Sequence, residues 1–225
     1  MTDPLRVVLE VAAKRSFASA LDWPGWSRGG RSPTDAVAAL VAYAPRYAIV
    51  AARAGLELPA VSETSVETVE RLKGSGGTEF GVPGEPAAAE GAHLEAADLD
   101  RLLDLLQAAW ATFDDVAARA AGVTLATGPR GGGRQVPKII DHVRGAEAAY
   151  LSKLGSKAPS ASEEDPAAPM ALVRAAFVDA LAAVARGKLV ANPNRTRTPW
   201  SPRYAVRRSA WHSLDHAWEI EDRLP

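Results

Sequence analysis

Trp211–Arg223 reads WHSLDHAWEIEDR and Lys138–Leu151 reads KIIDHVRGAEAAYL; three of the chain's four histidines lie in these two stretches. Both carry apolar residues at three- and four-residue spacing, so each predicts an amphipathic helix. At ~100° per residue, His212 and His216 differ by only ~40° around their helix and sit one turn apart, so both imidazoles can reach one ion. His142 shares an arc of roughly 140° with Ile139, Val143, Ala146, Ala149, Tyr150 and Leu154, which points it inward. Lys153 falls on that arc too, and its long stem carries the charge out to water. A neutral imidazole in a core needs a partner for each ring nitrogen, and a metal plus one hydrogen bond supplies both. Without the second histidine pair, a hydroxyl or backbone carbonyl partner would be the better account of His142.

Working outward, four helices fill the C-terminal half. The first spans about 94–120, with Leu99, Leu102, Leu103, Leu106, Trp110, Phe113 and Val116 on one face. The second runs over about 136–154, the third over about 170–186 with Leu172, Val173, Phe177, Leu181 and Val184, and the fourth over 204–224. Four amphipathic helices joined by loops predict a bundle, and bundles build metal sites from side chains on facing helices. On the fourth helix Arg208, His212, Asp215, His216, Glu219 and Arg223 fall within about 120° of one another, an arc that periodicity alone turns toward water. Histidines on that arc still reach an ion if the arc lines an open cavity at one end of the bundle. Asp141, Asp215 and Glu219 are then the carboxylates placed to orient an imidazole, and Glu219 is also a candidate ligand. His93 stands apart, in the segment before the first helix.

The N-terminal part has a different texture. LRVVLEVA and RSFASALDW, broken at Lys14-Arg15, predict a β-hairpin, and Trp26–Gly30 a short third strand. Ser32-Pro33-Thr34-Asp35 places a cap before proline at the first helical position, predicting one helix from about Pro33 to Ala54. A last strand is expected over 62–72, where β-branched residues alternate with Ser and Glu. KGSGGTEFGVPGEPAAAEGA, dense in Gly, Pro and Ala, reads as an inter-domain linker. The expected organisation is an α+β chain: an αβ domain at 1–72, a linker at 73–93 and an all-α domain at 94–225.

Composition narrows the function classes. Of 225 residues, 47% are hydrophobic and 24% charged, a soluble globular balance. Lys+Arg 26 against Asp+Glu 27 leaves a net charge of -1, which favours neither nucleic acid nor an anionic membrane as partner. Cysteine is absent, so any thiol chemistry must use a thiol from outside the chain. The opening residues do not pattern as a signal peptide, and no window approaches the roughly 20 apolar residues of a membrane helix. A cytoplasmic protein is expected, acting on a small molecule, with a homodimer open.

Two resemblances extend this reading. SFASALDWPGWSRGGRSPTDAVAALVAY is similar to the HicB-like module, which implies a β-β-β-α-β domain over about the first 70 residues and a binding or regulatory use of it. A plain αβ scaffold packed on the second domain is the competing reading. One histidine in KIIDHVRGAEAAYLSKLG plus H-x-x-x-H in WHSLDHAWEIEDRL resembles the DinB-like superfamily, which includes the YfiT-type proteins, over about 94–224. That resemblance implies a four-helix bundle binding Zn, Ni or a similar ion through His142, His212 and His216, and a thiol S-transferase or thiol-dependent isomerase activity on small electrophiles. The C-x-G-W segment of the mycothiol-dependent isomerases has no clear counterpart here, which speaks against that subclass.

Three neutral histidines leave positions on an ion for water or a thiol, and a coordinated thiol is deprotonated by the metal's charge. The expected cofactors are thus a divalent metal ion and an external low-molecular-weight thiol. Arg208 and Arg223 are candidates to hold a carboxylate of the thiol or substrate, against the alternative of solvated surface arginines. GPRGGGRQ (128–135) lacks the lysine and Ser/Thr of a phosphate loop and reads as a connection. No catalytic residue beyond the ligands is nominated. A non-catalytic binding protein with a structural metal, and a bundle that has lost its metal, both stay open.

Overall fold

In the computed structural model, residues 3–128, 133–159, 169–188 and 200–225 are described. Half of GPRGGGRQ, and most of the two long loops on either side of the helix expected over about 170–186, lie outside them. The fold is α+β. Strands β1 (Leu5–Val11), β2 (Ser16–Ala20) and β3 (Ser27–Gly30) lead into helices α1 (Pro33–Ala42) and α2 (Ala44–Arg53), then strand β4 (Val66–Lys73) and the short helix α3 (Gly76–Phe80). Helices α4 (Ala96–Arg119), α5 (Val136–Lys153), α6 (Met170–Ala185) and α7 (Pro202–Arg223) follow. The sheet order is β3-β2-β1-β4, with β1 antiparallel to β2 and parallel to β4.

The sheet is covered on both faces, which is why no residue of β2 is exposed. Pairing Val7 with Ala20 and Leu9 with Ala18 puts these side chains on one face, in a core shared with Ala36 and Leu40 of α1. Ser32 caps α1 in a full capping box with Asp35. Phe17 and Glu10 share the other face. There Phe17 meets Trp211 of α7 edge-on, with ring centroids 6.4 Å apart. Gly25, at φ 94°, lets the Trp23–Trp26 turn touch α7: a Cβ there would lie 2.9 Å from the Cβ of Ala210.

Two expectations need correction. The single helix over 33–54 is two helices bent by 53° at Tyr43. Pro45 has no N–H to donate and its ring crowds the carbonyl four residues back, so the first helix ends and a second begins at Ala44 with the proline in its first turn. The segment expected as a linker, 73–93, is docked structure. It contains α3 and a one-turn 3-10 segment at Ala88–Gly91, and its polar groups are tied to both halves of the molecule. Buried Glu10 of β1 accepts hydrogen bonds from Thr78 and from the backbone N–H groups of Gly84 and Glu85. Buried Glu90 is clamped by Arg207 of α7, Nε to Oε1 at 2.5 Å and Nη2 to Oε2 at 3.1 Å. Arg207 also donates to the carbonyls of Pro83 and Glu85, Arg208 to Pro83, and the Tyr204 hydroxyl to Gly84. Gly- and Pro-rich composition reports conformational freedom in the unfolded chain, and here arginines of α7 fix the backbone carbonyls instead.

Among the four long helices, α4 and α5 both pack on α7, and α6 packs against α4, α5 and α7. One apolar core runs unbroken from Leu5, Val7 and Leu9 through α1 and α2 to Leu106, Phe177, Leu214 and Trp218. A smaller one, around Phe113, Val116, Ile139, Val143 and Ile220, closes the far end of the helices. No single described helix is long and apolar enough to cross a membrane. Because Arg207 and Glu90 are both buried, Glu90→Gln leaves an uncompensated guanidinium in the interior. Urea denaturation is expected to show a loss of about 3 kcal/mol, and limited proteolysis to cut first within 74–92 in the variant but not in the parent.

Candidate metal centre

Helix α7 is buried on nearly every side, so its polar arc does not face water as periodicity alone suggested. Asp215, on that arc, reaches the sheet: Arg28 of β3 donates to its carboxylate at 3.1 Å. His212 and His216 are both buried, and α5 crosses above them. His142 projects from α5 so that its Nε2 lies 3.1 Å from Nε2 of His212. The three imidazoles have ring centroids 4.6–5.0 Å apart, and a ligating atom of each lies within 4.8 Å of the others.

This donor set fits a divalent ion. Histidine nitrogens sharing a metal at about 2.0–2.1 Å stand about 3.0–3.4 Å from one another, and the His142–His212 pair already has that spacing. A metal takes neutral imidazoles, and the surroundings of His212 and His142 favour that form. His212 is held well below its ordinary pKa, first by burial, then by His216, His142 and the cations Arg208 and Arg134. Burial and His216 lower His142 as well. Nδ1 of His212 is buried without a hydrogen-bond partner. A neutral His212 has one N–H and one lone pair, so a proton on Nδ1 would be buried with nothing to accept it, and a proton on Nε2 would leave the Nδ1 lone pair unmet.

Of the three carboxylates expected to orient an imidazole, one does so. Glu219 lies 2.8 Å from Nδ1 of His216, leaving Nε2 of that ring for the centre. The His216 contact holds the Glu219 carboxyl below the usual range, and Arg223 adds to the effect. Asp215 is taken by Arg28, and Asp141 pairs with Arg144 at the surface. Arg223 is committed too, donating to Glu219 at 2.7 Å and to the carbonyls of Ala126 and Arg134 at 2.8 Å. Arg208 lies near the histidines, stacked 4.9 Å from the ring centre of Trp211 and donating to Tyr150 at 3.5 Å. Tyr150 in turn stands edge-on to His212 at 5.9 Å. His93 is exposed beside Glu95, away from the centre.

One group that positions the site escaped the reading of the sequence. Glu147, on α5 five residues beyond His142, is buried and accepts from Arg174 of α6 at 3.0 and 3.4 Å and from Ser213 of α7 at 3.2 Å. Arg174 also donates to Asp114 of α4 at 2.7 Å, so one guanidinium cross-links the long helices. Burial pushes the Glu147 carboxyl up, opposed by Arg174 and Ser213. The signal was present as a glutamate on the apolar face of α5 and an arginine on the apolar face of α6. Ser213 adjoins His212, so this network sets the spacing between α5 and α7 across which the histidines meet.

Searches against protein-family models, curated proteins and solved structures find no match to this chain. Glu147→Ala strands the buried Arg174 and is expected to cost about 3–5 kcal/mol in denaturant titration. Asp114→Ala, at a half-exposed carboxylate, is expected to cost less than about 1 kcal/mol.

Proposed function

We propose that this chain is a divalent-metal protein of DinB-like architecture, with α4–α7 as its four-helix bundle and His142, His212 and His216 as ligands to Zn or Ni. We further propose that it acts as a transferase or isomerase that uses an external low-molecular-weight thiol on small electrophiles, in a cytoplasmic setting. The observation that carries the reading is the convergence of three imidazoles from two helices, with ligating atoms within 4.8 Å. An ion bound by three neutral histidines keeps exchangeable positions and lowers the pKa of a thiol or water placed there.

This chain's own residues supply the rest. His142 retains solvent access while His212 and His216 do not, so the approach for a small molecule is from the α5 side. Glu219, itself gripped by Arg223, fixes the ring and tautomer of His216. The cations Arg208 and Arg134, which both act on His212, make the centre favour an anionic partner such as a thiolate over a neutral one. Lacking cysteine, the chain has no thiolate of its own to occupy the ion. The competing reading is a binding protein whose HicB-like part meets a partner while a closed metal site staples the helices. The solvent access of His142 favours the open site.

Elemental analysis of untagged protein is expected to find about one divalent ion per chain, absent in His142→Ala and His212→Ala; full retention by both would remove the centre. Glu219→Gln is expected to weaken metal affinity about 10–100-fold without changing stoichiometry. In cobalt-substituted protein, low-molecular-weight thiols are expected to bring intense charge-transfer bands. A flat titration at full cobalt loading would assign the metal a structural role and the chain to the binding proteins.

A further inference from the structure

A second concave site lies between the β1–β2 turn, the edge strand β3, Gly81 and Asp215 of α7. Its volume is about 470 Å³, within the range of small-molecule sites. Four cations line it, Lys14, Arg15, Arg28 and Arg31, against a single carboxylate, Asp215. The whole chain has a net charge of only -1, so this is a strong local excess. Among the described residues, the side chains of Lys14, Arg15 and Arg31 enter no ion pair.

The cleft is built rather than incidental. Arg28 is held rigidly, its guanidinium 3.9 Å from the ring centre of Tyr43 and 5.6 Å from that of Trp218, with one hydrogen bond to Asp215. Its Nε is buried and has no hydrogen-bond partner. Gly29 and Gly30 lie on an edge strand, where alternate amides turn away from the sheet. Gly81, at φ 113°, lets Arg15 lie across its turn: a Cβ there would fall 2.7 Å from Nη1 of Arg15. Planar guanidinium forks, exposed amides and one ammonium form a donor set matched to oxyanions and to little else.

We propose that this cleft is an anion-binding site, distinct from the histidine centre, for a small molecule presenting a phosphate or carboxylate group to Arg28, Arg15 and Arg31. Asp215 acts as the built-in competitor, accepting from Nη1 of Arg28 until the ligand's oxyanion displaces it.

The test is isothermal titration of the full chain with inorganic phosphate and, separately, citrate, at constant ionic strength set with chloride, before and after metal is stripped by chelation. Saturable binding of at least one anion is expected, unchanged within about twofold by stripping. The Lys14→Gln/Arg31→Gln variant, altering two unpaired rim side chains, is expected to bind about tenfold or more weakly while unfolding at the same urea concentration. Asp215→Asn, which frees Arg28, is expected to bind several-fold more tightly. Preference for phosphate or for citrate identifies the ligand's anionic group. Absence of saturable binding, equal affinity in the double variant, or displacement by chloride as effective as by phosphate would overturn the proposal. Binding that disappears with the metal would overturn it too, by assigning the anion to the histidines; the metal-stripped arm keeps this result independent of the proposed function.

Discussion

A helix carrying arginines, histidines and acids can be buried only if each of those groups meets a partner, because an unpaired charge in a protein interior costs several kcal/mol. Helix α7 lives under that constraint. Arg207 is met by Glu90, Arg223 by Glu219 and two carbonyls, Ser213 by Glu147, and Asp215 by Arg28. These partners come from the sheet, from the segment before α4, from α5 and from α7 itself. The fold is therefore arranged around one polar helix, with apolar contacts such as Phe17–Trp211 and Gly25–Ala210 filling the spaces between pairs.

The same arrangement gives the histidines their character. Pairing leaves most of α7's charges neutralised locally, yet His212 has neighbours that are cationic or neutral, and its Nδ1 has none. Its imidazole is kept unprotonated in a part of the molecule rigidly braced by the Glu147–Arg174–Asp114 cross-link. Rigid bracing favours a ligand set held near its bound geometry, since the ordering entropy is lost during folding rather than on metal uptake.

How much of this was legible in the sequence differs from element to element. The four long helices and the strands β1 and β2 fall where their periodicity placed them, because a 3.6- or 2-residue repeat is a direct image of a buried face. The helix placement of the three histidines was readable for the same reason. Periodicity cannot tell a polar face turned to water from one turned to buried ion pairs, and the arc containing Arg208, Asp215 and Glu219 was read as facing water or an open cavity. The helix across Tyr43 was read through Pro45, although the proline was in plain view. The segment 73–93 was opaque for another reason: it is held through the carbonyls of Pro83, Gly84 and Glu85, and main-chain acceptors leave no trace in residue type. Only Glu90, set among alanines, hinted that something basic was waiting for it.

The hydrogen bond between Arg28 and Asp215 spans 187 residues of sequence, and that between Tyr43 and Asp222 spans 179. Such contacts close very long loops, and their entropy must be lost before the contacts return anything. The face of the sheet bearing Phe17 and the turn at Gly25 have nothing to rest on until α7 arrives, so the β-rich half and the helices mature together. A chain of this connectivity is expected to fold slowly for its helix content, its early apolar surfaces exposed to whatever else is in solution until the last long-range pairing closes over them.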